Sequence, residues 1–164
     1  MSKSPITSYF EADKKLPMAR SIPKAKYPSV QDVLAAAQEI CKVGVRTLKS
    51  KDNRPQAAPS RHIAMFIAAY SCKKTLDEIA AEFGPFDRTA VSYARRATCY
   101  KIWKGVENAP SEDQRQKRIN FLRHLEATKE LLRSRGFTII EPTACELQEE
   151  AEKSYKPRKD KKAA

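Results

Sequence analysis

Between residues 75 and 96 the chain runs Thr75-Leu-Asp-Glu-Ile-Ala-Ala-Glu-Phe-Gly-Pro-Phe-Asp-Arg-Thr-Ala-Val-Ser-Tyr-Ala-Arg-Arg96. Thr75 with Glu78 three residues on has the form of a capping box. Leu76, Ile79, Ala80 and Phe83 fall on the inward side of the short helix it opens, and Gly84 is placed to stop it. Asp87 is a good N-cap for the next helix. That helix is expected to bury Val91, Ala94 and Thr98 and to run to Ile102 or Trp103. A short helix, a tight turn and a second, basic helix are a helix-turn-helix written in one dimension.

Working outward, Pro59 fits the first turn of a preceding helix, where its missing N–H costs nothing. Ile63, Phe66, Ile67 and Tyr70 mark that helix's buried stripe. Further back, Ser29 with Asp32 opens an earlier helix along Val30, Val33, Leu34, Ala37 and Cys41. Gly44 is expected to close it, and Val45 to Leu48 to add a helical turn. Residues 49–58 read as a polar loop carrying Lys49, Lys51 and Arg54. Downstream, Ser111 with Gln114 caps a helix on which Phe121, Leu125, Thr128 and Leu132 form a short heptad-like seam, with Leu122 and Leu131 beside it. Two heptads favour packing on the same domain; a homodimer through this C-terminal helix is the alternative. Gly136 ends the helix, Phe137 to Ile140 read as a short extended piece, and Thr143 with Glu146 caps a last acidic helix. The fold class is all-α.

The expected organisation is a disordered basic arm at 1–28, a helix-turn-helix domain at 29–105, a helical extension at 106–153 and a disordered basic tail at 154–164. Within the arm, Pro5-Ile-Thr-Ser-Tyr-Phe10 resembles the end of a sliding-clamp-binding peptide through Ile6, Tyr9 and Phe10, with Lys3 where that peptide has glutamine. The formal net charge of +12 draws the chain to polyanions. No apolar run approaches the ~20 residues that span a bilayer, and the N-terminus has no apolar signal region. A cytoplasmic, nucleoid-associated protein without a membrane contact is expected. Cys41, Cys72, Cys99 and Cys145 form no CxxC pair, and His62 and His124 are isolated, so neither a metal nor a cofactor is expected. No Ser-His-Asp, Cys-His or paired-carboxylate arrangement stands out, which argues against an enzyme.

Pro59-Ser-Arg-His-Ile-Ala-Met-Phe-Ile-Ala68, the run from Thr75 to Gly84, and Asp87-Arg-Thr-Ala-Val91 together resemble the C-terminal DNA-binding domain of DnaA, the bacterial replication initiator. The family pattern there is Arg-Gln-x-Ala-Met-x-Leu, then Leu-x-x-Ile-Gly-x-x-Phe-Gly-x-Arg-Asp-His-Thr-Thr-Val. The resemblance implies a helix-turn-helix of the Trp-repressor type. It implies that a basic-loop arginine, Arg54 here, enters the minor groove, and that Arg61 and His62 contact DNA at a helix start. It also puts Asp87, Arg88, Thr89 and Ala90 at the head of the recognition helix. Arg88 stands for histidine, Ala90 for the second threonine, Phe86 for arginine and Asp77 for proline, so the initiator's own nine-base-pair box does not follow. The phosphate-loop pattern GxxxxGK[ST] is missing, which implies a stand-alone reader lacking the ATPase module.

Side-chain chemistry agrees. With Val91 and Ala94 buried, Thr89, Ser92 and Arg96 share another face of the helix, with Arg88 beside them. Arginine bonds guanine O6 and N7 together, and a threonine methyl touches a thymine methyl. Lys73, Lys74 and Thr75 precede the first helix of the motif, where the lysines can hold phosphates. Tyr93 and Tyr70 read as packing or rim residues. Double-stranded DNA is the expected partner, read for transcriptional regulation or replication control. The rivals are an interaction adaptor with incidental DNA binding and a non-specific nucleic-acid-binding protein. RNA's deep, narrow major groove would not admit the helix.

Overall fold

The structure, a computed structural model, describes residues 24–154. The clamp-like residues Ile6, Tyr9 and Phe10 and the basic tail lie outside them. The described residues form seven helices and no strand. These are α1 (Val30–Cys41), α2 (Val45–Leu48), α3 (Ala57–Ser71), α4 (Leu76–Phe83), α5 (Arg88–Lys104), α6 (Glu112–Ser134) and α7 (Ala144–Ser154).

Three of the expected capping boxes are complete. Ser29 Oγ accepts from the Asp32 amide while Asp32 accepts from the Ser29 amide, and Thr75 with Glu78 and Thr143 with Glu146 do the same. Ser111 accepts from the Gln114 amide at 3.3 Å. The stop after α1 differs from expectation. Lys42, not Gly44, takes the left-handed conformation, with φ 59° and its amide on the Gln38 carbonyl. Gly44 instead precedes α2 with an ordinary φ of −61°. Gly136 does close α6: at φ 87° it bonds Arg133, and the Phe137 amide returns to the Leu132 carbonyl, a Schellman arrangement.

Helix α3 is the hub. Ile63, Ala64, Met65, Phe66, Ile67 and Ala68 are all buried, so the apolar belt is nearly continuous around this stretch. A helix apolar all round must be enclosed, and α1, α2, α4, α5 and α6 all pack on it. The expected stripe located the helix and understated its burial; Tyr70, placed in that stripe, is only half-buried.

The seam of α6 faces its own domain. Phe121, Leu125, Thr128 and Leu132 are buried, α6 packs chiefly on α1 and also on α3, and three of the four belong to the same core as Leu34 and Phe66. The seam is therefore spent inside the chain, which corrects the homodimer alternative built on it. Residues 137–143 are irregular rather than a strand, because no neighbouring strand exists among the described residues to pair with them. Single bonds tie them down: the Thr138 amide to the Lys26 carbonyl at 2.7 Å, and the Ile140 amide to Ser71 Oγ at 3.0 Å. Lys129, nearly buried, bonds Glu126 at 2.9 Å and Glu141 at 2.7 Å, anchoring the same segment to α6. It leads to α7, which packs against α5.

Two outcomes are expected in denaturant melts. Thr75→Ala should cost about 0.5–2 kcal/mol by leaving a first-turn amide of α4 unpaired. Leu125→Ala should cost about 2–5 kcal/mol as a core truncation. The sedimenting mass should be unchanged in Leu125→Ala; a fall in mass would return the seam to a two-fold contact.

Candidate nucleic-acid interface

The placement of the two-helix motif depends on one buried arginine. Arg61, in the second turn of α3, is 4% exposed. Its Nε donates to the Leu48 carbonyl at 3.1 Å and its Nη2 to the Asp52 carbonyl at 2.7 Å. The guanidinium also lies 4.8 Å from the centre of the Phe86 ring. One side chain thus joins the end of α2, the following loop and the turn before α5. Desolvation lowers its pKa, the nearby Asp52 opposing that shift. The resemblance implies a DNA contact for Arg61; here its Nε and Nη2 donate to carbonyls inside the fold. Gly84 completes the turn at φ 91°, a backbone conformation that a residue with a Cβ rarely adopts.

This frame presents the outer face of α5. Asp87 is the N-cap, its Oδ1 accepting from the Ala90 amide at 3.0 Å. Val91, Ala94 and Thr98 are buried, as is Cys99. Arg88 and Thr89 are exposed, and Ser92 and Arg96 are half-buried. Arg96 Nε reaches the Ser92 carbonyl at 3.4 Å. Arg88 has no hydrogen bond or ion pair among the described residues. Tyr93, expected to pack or to sit at a rim, is 57% exposed. His62 from α3 meets its ring edge-on at 5.7 Å between centroids. Burial, with Lys101 and Arg61 adding to it, pushes the His62 imidazole down to about 4. His62 is therefore neutral at physiological pH and offers a single N–H rather than a charge.

The flanking positions are less free than their charges suggest. Lys74 is paired with Glu82 across α4. Lys73, in the turn before α4, has a left-handed φ of 53° and puts its ammonium 4.7 Å over the Tyr27 ring, with no carboxylate beside it among the described residues. Thr75 is occupied as a cap. Arg54 is 74% exposed but clasped by Asp52, Nε to Oδ2 at 2.7 Å, which holds the Asp52 carboxyl below its usual range. Such an exposed pair is worth little and yields readily to a stronger acceptor. The structure therefore gathers Arg88, Thr89, Ser92 and Arg96 on one helix, sets Lys73, Lys74 and Arg54 on neighbouring elements, and takes Arg61 inside. What sequence reasoning missed is Tyr93 as part of the open face. Its spacing, four residues after Thr89 and three before Arg96, could have signalled this.

The described residues hold no cluster of three or more His, Cys, Asp or Glu able to bind a metal. None of the described helices is long and apolar enough to cross a membrane. Residues 30–97 match the family of the bacterial dnaA protein helix-turn-helix. The chain carries an all-α domain of this DnaA C-terminal-like kind, and the family implies DNA binding. No curated protein and no solved structure matches the chain.

The depressed His62 pKa fixes a pH dependence. An unfolded histidine takes up its proton near 6.5, whereas the folded one does so near 4. Between these values the unfolded state binds more protons, so stability rises with pH; the contribution is full above 6.5 and is lost as pH falls toward 4. Each tenfold difference in proton affinity between the two states is worth about 1.4 kcal/mol, so the loss is expected to reach a few kcal/mol. Urea melts at pH 7 and pH 5 should show it, and His62→Phe should flatten the difference; an unaltered pH slope in that variant would assign the effect to other groups.

Proposed function

We propose that this protein is a non-catalytic reader of duplex DNA that enters the major groove with α5, beginning at Asp87, and thereby regulates transcription or controls replication. The observation that carries this reading is the open face of α5, where Arg88 stands exposed, unpartnered among the described residues, beside Thr89, Ser92 and Arg96. Arg88 offers the two-donor fork that fits guanine, and the Thr89 methyl fits a thymine. A good bidentate contact gives ~1–3 kcal/mol of discrimination against the wrong base. Tyr93, braced by His62, lies beside this reading surface. Asp87 acts as the cap that fixes the helix start and carries its positive end toward the backbone.

In this reading Lys73 holds a phosphate directly, while Lys74 and Arg54 exchange their carboxylate partners for phosphate oxygens. Arg54 then serves the adjacent minor groove. His62 contributes contact and position rather than charge. Residues 29–105 are the DNA-binding domain, and 106–153 a helical extension that buttresses it. The reader works in the cytoplasm, at the nucleoid.

Selection from a random duplex pool is expected to enrich one motif; no enrichment would favour the adaptor reading. Arg88→Ala should lose preference at one or two base pairs of that motif. Lys73→Ala should weaken all sequences alike and flatten the salt slope by about one phosphate equivalent. Unchanged binding-site logos for Arg88→Ala would remove α5 from base reading.

A further inference from the structure

Arg95 lies seven residues beyond Arg88 on α5, about two turns along the same side of the helix. Arg88 is open, whereas Arg95 is met by α7: its Nη2 is 3.4 Å from Glu150 Oε2. That is long for a charge-assisted bond, which runs ~2.7–2.9 Å. Arg95 Nε and Glu150 Oε2 are both buried without a hydrogen-bond partner among the described residues. These two atoms have thus lost water without gaining hydrogen bonds that would offset the loss. Glu150 Oε1 is turned to Lys153 at 2.8 Å.

Helix α7 lies along α5 in the most extensive helix pairing of the described residues. Ala151 is its one buried residue among those described and Leu147 is half-buried, while Cys145, Glu146, Gln148, Glu149 and Glu152 are exposed. An acidic helix rests on the reading helix of a strongly basic chain, its carboxylate on an arginine that continues the Arg88 side. A DNA backbone following that side meets the carboxylate first. Phosphate and carboxylate compete for the same fork, and phosphate oxygens also accept two parallel N–H bonds.

We propose that Arg95 is a further phosphate-binding residue of α5 and that Glu150 of α7 is the built-in competitor which a DNA phosphate replaces. The proposal rests on the reading of α5 as the groove-entering helix. Bound DNA gains Arg95 only by giving up the Glu150 pair, so affinity is held below what the basic face allows. Any change that draws α7 away from α5 tightens binding.

The test is duplex binding by the full chain, read by fluorescence anisotropy over a salt series. Glu150→Gln is expected to bind about three- to tenfold tighter and to steepen the log K against log salt slope by about one. Arg95→Gln should bind more weakly than the unaltered chain, and Arg95→Gln with Glu150→Gln should behave like Arg95→Gln alone. Glu112→Gln makes the same charge change at an exposed site on α6 and sets the size of a general charge effect. Glu150→Asp keeps the charge, shortens its reach and should shift affinity in the same direction if Glu150→Gln folds poorly in a thermal melt. The competition is overturned if Glu150→Gln gains no more than Glu112→Gln, or gains as much when Arg95 is already glutamine. Base preference lost in Arg88→Ala beside a silent Glu150→Gln would reject this inference alone, whereas Arg88→Ala with unchanged preference would reject the groove reading beneath it.

Discussion

The fold hangs on how a charged guanidinium is housed at the foot of α3. Arg61 cannot shed its charge at any ordinary pH, so its burial demands acceptors. Two main-chain carbonyls, from Leu48 and Asp52, supply them. Both come from the connection between α1 and α3, a region with little apolar surface of its own. The face of the same guanidinium takes the Phe86 ring, and Phe86 is the residue before the Asp87 cap. The turn that starts α5 is thus referenced to the hub helix through an arginine. Losing it would strand two buried carbonyls, each costly to leave unpaired, and would free the turn at the same moment.

Most of what was legible in the sequence was local. Capping boxes at Ser29, Thr75 and Thr143 involve residues three apart, so their chemistry is complete within one turn. The Gly84 stop is of the same kind, since its φ of 91° is a conformation that residues with a Cβ rarely adopt. Lys42 escaped because a left-handed lysine is tolerated when its amide finds the Gln38 carbonyl, and a nearby glycine offers a more obvious but unused stop. The α6 seam shows another limit. A period of three and four says that a face is covered, and nothing in the period says by what.

The site divides along the same line. Arg88, Thr89, Ser92 and Arg96 could be placed together because helical geometry alone relates them. Arg61 could not be placed, because its partners lie nine and thirteen residues upstream in a loop whose path no pattern encodes. Arg95 and Arg96 are neighbours of identical type, yet one turns to Glu150 and the other toward the Ser92 carbonyl on the outer face. Adjacent helix positions point about 100° apart, and α7, some fifty residues away, docks on the Arg95 side.

That difference bears on what a net charge of +12 can do. Around the reading helix, Arg54 faces Asp52, Lys74 faces Glu82 and Arg95 faces Glu150. Each cation already has an internal anion, so a phosphate that takes it over releases a carboxylate rather than a counterion from DNA alone. The electrostatic gain per contact is then smaller than the count of basic residues implies, and so is the salt dependence. Arg88 is different, because among the described residues it has no partner to surrender in the proposed groove contact. Strong general attraction favours every sequence equally, whereas an unopposed fork on a fixed helix favours one base. Under the proposed reading, pairing the flanking cations while leaving Arg88 free shifts the balance of binding from affinity toward discrimination.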